Sequence, residues 1–227
     1  MRLHLANHGL TLKGDQTPAY WQQNLSAVRG TTAIADNQRA IVTPFTILVD
    51  SAEQQPFTFQ GMRADGQDAE RPYIVRTRQA HLGVSHGDYS VLGLEGEVHI
   101  ERKSMDDVIG TVLGWGSRRE QFQQTLSRLA EMPSSAVIVE CTFGAAIEAM
   151  HSRGKKSAAE NKRIFHRQVM AWQDDYRVPW LFCDNRRLAE ISTFQWLRRQ
   201  WKHAQKAKKR AALDAAKADQ HLSKSGL

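Results

Sequence analysis

Two carboxylates and an amine stand at spacings that could do chemistry. Asp88 precedes an apolar run, Tyr89–Leu94, and Glu101 and Lys103 lie two residues apart at the end of the next, Val98–Arg102. The turn Glu95–Gly96 separates the two runs, which read as strands of a hairpin. Side chains at i and i+2 of a strand share a face, so Glu101 and Lys103 emerge together. Folding back through Gly96 brings Asp88 toward Glu101. Two carboxylates can hold Mg²⁺, which takes oxygen ligands and often needs only one or two from the protein. A cation so placed polarises a phosphoryl oxygen, and the neighbouring ammonium orients water or offsets transition-state charge. The expected chemistry is phosphodiester hydrolysis. Asp107, four residues after Lys103, could face the same cleft, or could simply complement the dipole at a helix start.

The elements that must position these groups follow from periodicity. Phe45–Val49 is a compact strand-type run ending at Asp50, and Pro72–Thr77 is a further strand candidate. After Lys103 the period changes: Val108, Ile109, Val112 and Leu113 suit one helix face, and Phe122, Leu126 and Leu129 another, with Pro133 as the stop. Ala136–Cys141 is an apolar run, interrupted by Glu140, of buried-strand type. A helix over about Ala158–Tyr176, a strand at Pro179–Cys183 and a long helix from about Leu188 complete an α/β pattern, a central mixed sheet flanked by helices.

Composition sets the partner class. Among 227 residues the net charge is +7 and the pI about 9.6, which favours an acidic partner such as nucleic acid. Cys141 and Cys183, each in an apolar run, lack the spacing of a disulfide framework or a zinc site and read as core residues in a reducing compartment. No stretch approaches a membrane span and the first residues do not pattern as a signal peptide, so a cytoplasmic location is expected.

Gly87-Asp88-Tyr89 followed by Glu101-Arg102-Lys103-Ser104-Met105-Asp106-Asp107 resembles the GDY…ERKxxxD signature of the XPF-type structure-specific endonucleases. The likeness extends from about Phe45 to Lys202, through Ile47–Asp50 with Glu53, Arg119 with Phe122–Leu129, Ala136–Glu140 and Val178–Phe182. It implies a restriction-endonuclease-like core, Mg²⁺ or Mn²⁺ as cofactor, and cleavage of branched or flapped DNA. Carried over, Asp88, Glu101 and Asp107 are metal carboxylates and Lys103 is catalytic. Asp50 and Glu53 edge the cleft, while Arg102 and Arg119 support it. By strand alternation Arg102 points away from Lys103, toward structural pairing. Two departures stand out: Ala52 occupies a position where the family usually has Arg, and His86 replaces a small apolar residue before the signature. No helix-hairpin-helix module follows, which leaves the preferred DNA structure open. Relatives pair through this domain, so a homodimer is a candidate, with Trp172, Trp196 and Trp201 as a patch or as core.

Three segments result: an irregular extension over 1–43 with one helical candidate at Pro18–Val28, a nuclease domain over 44–203, and a basic helical tail over 204–227. On the last helix Arg198, Lys202, Lys206 and Arg210 recur every four residues, either as a DNA phosphate grip or as a solvated helix end. Arg153, Lys155, Lys156, Lys162 and Arg163 form a second basic cluster. Rival readings are a catalytically silent DNA-binding partner, and an RNA or membrane-surface binder carrying the motif by chance. The extension lies outside the expected catalytic fold, so a chain lacking it should retain metal-dependent cleavage. A folded but inactive truncation would show that the extension completes the site.

Overall fold

The computed structural model describes residues 3–5, 10–12, 40–64, 71–83, 86–114, 116–151 and 156–225, with side chains from Ala40 to Lys217. Strands β1 (Leu3–Leu5) and β2 (Leu10–Leu12) pair antiparallel as a separate small sheet, so the extension is not wholly irregular. The helix expected at Pro18–Val28 lies outside the described residues.

The main sheet has six strands in the order β4-β3-β5-β6-β7-β8. Strand β3 (Ile41–Asp50) runs parallel to β4 (Tyr73–Ala80) and antiparallel to β5 (Tyr89–Val91). β5 pairs antiparallel with β6 (Val98–Lys103), and β7 (Ser134–Val139) and β8 (Trp180–Phe182) extend the sheet in parallel. The sheet is therefore mixed, as expected.

β3 starts at Ile41, ahead of the expected boundary at residue 44. Pro44, which has no N–H to give the ladder, does not end the strand. Instead the register shifts between Val42 and Thr46, and Thr43 repairs the irregularity. Its buried hydroxyl donates to the Phe45 carbonyl at 2.8 Å and accepts from the Arg76 amide at 3.0 Å. A truncation that spares this strand must therefore stop before Ala40.

The helices are α1 (Met105–Val112), α2 (Arg118–Ala130), α3 (Phe143–Glu148), α4 (Ala158–Tyr176) and α5 (Arg186–Ser225). The short α3 was not foreseen; Thr142 caps it by accepting from the Ala145 amide at 3.0 Å. Helices α1, α2 and α4 cover one sheet face, packing Val108, Val112, Leu126, Leu129, Phe165 and Trp172 against Val137 and Val139. On the other face, Ala189, Phe194 and Leu197 of α5 pack against Ile47, Val49, Ile100 and Ile138. Among the described residues no helix is long and apolar enough to cross a membrane.

The aromatic dimer patch does not form on the outside. Trp172 is buried, Trp196 donates to the Ser134 hydroxyl at 3.0 Å, and Trp201 stacks on Phe45 with ring centroids 5.6 Å apart. Both cysteines are buried and unbridged.

Leu126 is fully buried at the α2–sheet junction. Truncating it to Ala should cost about 2–5 kcal/mol, read as a lowered denaturant midpoint at unchanged slope.

Candidate active site

The site begins with a glycine. Gly87 has φ +90, and a Cβ there would come within 3.0 Å of the Ile100 carbonyl oxygen. Only glycine lets the backbone lie that close to β6 in that conformation. The next residue is then held by its main chain: the Asp88 amide donates to the Ile100 carbonyl and the Asp50 amide donates to the Asp88 carbonyl, each at 2.8 Å. Tyr89 locks the turn from the far face, stacking on Phe57 and accepting from the Phe57 amide at 2.9 Å. Each residue of the Gly-Asp-Tyr triplet thus has a separate physical task.

Asp88 lies beside the end of β6, where one carboxylate oxygen accepts from the Arg102 amide at 2.7 Å. Burial raises its pKa well above the usual carboxylate range, and the nearby Glu101 charge raises it further. Glu101 is buried and takes the Lys103 ammonium at 2.7 Å. Burial alone would push Lys103 down, but Glu101, Asp88 and Asp107 outweigh it and hold the amine protonated. Its Nζ also sits 4.8 Å from the centre of the Phe122 ring, a cation–π contact.

Asp107 stands apart from that pair. It occupies the first turn of α1, where its amide donates to the Ser104 hydroxyl at 3.2 Å and that hydroxyl donates to its carboxylate at 2.8 Å. The Arg118 guanidinium lies 3.7 Å away. Asp107 does share a cavity of about 380 Å³ with Lys103, lined also by Thr111, Arg118, Gln121, Phe122 and Thr125. Among the described residues no three His, Cys, Asp or Glu side chains converge as a metal cluster. Asp88 and Glu101 nevertheless suit a hard divalent cation: two oxygen donors in a pocket whose excess negative charge already disfavours ionisation of Asp88.

The supporting residues do different work. Asp50 accepts from the amides of Ala52 at 2.7 Å and Leu82 at 3.0 Å, tying two loops with its carboxylate. Arg102, on the opposite face from Lys103, makes a two-pronged contact with Glu53 at 2.9 and 3.1 Å and reaches Glu140 at 2.8 Å. Burial opposes the charge on Glu53, but the Arg102 hydrogen bonds win and its pKa falls. Arg186 of α5 also binds Glu140, closing a network across four segments. Arg119 donates to the Val112 carbonyl, fixing the end of α1. Glu140, Arg186, Arg118 and Gln121 were not foreseen as site residues. Glu140 was read only as the end of a buried strand, and the others gave no signal beyond their position after a motif.

Of the four basic residues proposed on the last helix, Arg198 turns inward: it is buried, donates to the Tyr73 hydroxyl at 3.1 Å and lies over that ring. The spacing of four overlooked that α5 presents Arg198 beside its apolar stripe. Lys202, Lys206 and Arg210 are exposed.

No protein-family model matches the sequence, and no curated protein matches it. Solved structures similar to the chain include XPF from Aeropyrum pernix, 18% identical with a TM-score of 0.47, covering 68% of this chain and 61% of that one. XPF from Aeropyrum pernix in complex with DNA is 17% identical with a TM-score of 0.46, covering 70% of this chain and 66% of that one. The chain thus spans less than two thirds of the length of either structure.

Removing Arg102 would leave Glu53 and Glu140 buried with a cation lost between them. Arg102→Met should lower stability by about 3–5 kcal/mol, the usual cost of breaking a buried pair from one side. Adding Glu53→Gln should restore part of it, as measured by thermal denaturation. Because the folded pKa of Glu53 is depressed, its stabilisation is present above its ordinary value of 4.5 and fades as pH falls below it. Glu53→Gln should therefore flatten the acid limb of the stability curve.

Proposed function

We propose that Asp88, Glu101 and Lys103 form the centre of a DNA phosphodiesterase dependent on Mg²⁺ or Mn²⁺. The observation that carries this reading is the buried Glu101 carboxylate on the Lys103 ammonium at 2.7 Å, with the Asp88 carboxyl close enough to feel both charges and Lys103 lining a cavity. Asp88 and Glu101 would hold the cation, with water and substrate filling the remaining positions. When bound, such a cation supplies Lewis-acid polarisation of the phosphate and activates water.

The side chains of the chain divide the remaining work. Lys103, ion-paired with Glu101, would donate a hydrogen bond to a phosphate oxygen or to the attacking water. Phe122 covers one side of that ammonium. Asp107 accepts from Ser104 and lies 3.7 Å from Arg118, which lines the cavity with it, beside the space a substrate phosphate would enter. DNA is the substrate class favoured by the net charge of +7 and by the resemblance of the motif to XPF-type endonucleases. That resemblance further suggests branched or flapped DNA.

Asp88→Ala and Lys103→Ala should each lower metal-dependent cleavage of plasmid, flap and fork DNA by about 10²–10³-fold or more, with folding and DNA affinity largely kept. Near wild-type cutting by either variant would remove these residues from the mechanism. Failure of the unmodified protein to cut any of these substrates would favour a silent DNA-binding role.

A further inference from the structure

We infer that the outer face of α5 is a binding rail for the phosphate backbone of duplex DNA, separate from the catalytic cleft. At 3.6 residues per turn, Arg199, Lys202, Lys206, Lys209, Arg210 and Lys217 fall within an arc of roughly 100°. All six are exposed. The buried stripe of the same helix, Thr193, Phe194, Leu197, Trp201 and Ala204, lies nearly opposite. The packing of α5 against the sheet therefore sets the azimuth of the cations and turns them outward. The set differs from a simple spacing of four, because Arg198 is taken up by Tyr73 while Arg199 and Lys209 join the outer face.

Ordinary helix physics does not account for this charge. Cations favour a helix C-terminus, but that effect fades within the last turn, and Arg210 stands fifteen residues before Ser225. Lys202, Lys206 and Arg210 are like charges at i,i+4 spacing, which costs a helix a few tenths of a kcal/mol per pair. In sequence, residues 199 to 217 carry seven Lys and Arg and one acid, Asp214, whose contact with Arg210 is a long 3.9 Å between exposed groups. A helix carrying that repulsion gains from a polyanion.

Charge density and shape select the occupant. The rail is about 27 Å long at 1.5 Å per residue, matching roughly eight base pairs of duplex, which presents one phosphate per ~1.7 Å of axis. An anionic membrane fits less well. Insertion needs a large apolar face opposite the charges, and from residue 205 to 217 the apolar side chains are alanines apart from Leu213. Leu213 lies inside the cationic arc instead of across from it. Arg199, the first cation of the rail, stands thirteen residues beyond Arg186, which touches the catalytic-end network, so about 20 Å of helix separates the rail from that end.

The test is binding without cutting. Anisotropy of an end-labelled duplex of about 30 base pairs would be measured in chelator from about 50 to 200 mM salt. Replacing Lys202, Lys206, Lys209 and Arg210 with Gln should flatten the slope of log affinity against log salt by about 3–4 units, at about 0.9 per contact. Lys202→Arg/Lys206→Arg/Lys209→Arg should keep the slope, and circular dichroism should show equal helix content in all three proteins. A wild-type slope in the Gln variant overturns the inference. So does a loss seen only on vesicles of phosphatidylserine and phosphatidylcholine. Because nothing is cut in chelator, the result is independent of the catalytic reading: a protein that grips DNA through the rail yet never cuts would defeat only that reading.

Discussion

The main-chain clamp on Asp88 is the constraint on which the candidate site rests. Its amide bonds to β6 and its carbonyl receives the last amide of β3, so the two strands flanking β5, both running opposite to it, fix one residue between them. Left free, an aspartate with so unfavourable an ionisation would swing toward water. Held by both backbone groups, its carboxylate stays in the pocket beside Glu101 despite the cost of burial. The close approach that makes the clamp possible needs Gly87, whose missing Cβ leaves room for the Ile100 carbonyl.

Strand alternation then separates two kinds of charge that would otherwise interfere. Glu101 and Lys103 face the cavity side of β6, while Arg102 between them faces α5. On that far side Arg102 and Arg186 share the carboxylates of Glu53 and Glu140, so positive and negative groups are matched within a buried network. On the near side one ammonium faces two carboxylates, leaving a negative excess. The first arrangement stabilises the junction of β3, β6, β7 and α5; the second leaves room for a cation. The two faces meet at Asp88, whose ionisation the Glu53 charge also opposes.

Helix α5 plays two roles along its length. Its first half forms core on the sheet and anchors Glu140 through Arg186 and the loop at Phe59 through Glu190. From Lys206 onward its described side chains are exposed. The rotation set by the packed half is inherited by the exposed half, so core residues such as Phe194 and Leu197 determine where Lys206 and Arg210 point.

The sequence by itself determined the element order from β3 to α5 apart from the short α3, the hairpin carrying Asp88 and Glu101, and the shared face of Glu101 and Lys103. Those follow from periods of 2 and 3.6 and from local turn chemistry, which short segments carry alone. Only tertiary structure decided the rest. The first strand was read from Phe45, yet a buried Thr43 carries β3 through Pro44 from Ile41. Arg198 looked like a member of a cationic stripe until Tyr73, more than a hundred residues earlier, took it inward. Asp107, in the same motif as Glu101, came to line a cavity with Lys103 while bonding its own helix cap. Glu140 joined Arg102 through strand pairing that no local pattern encodes. The common reason is that spacing fixes the direction of a side chain relative to its own element, whereas its partner depends on which distant element packs against that face.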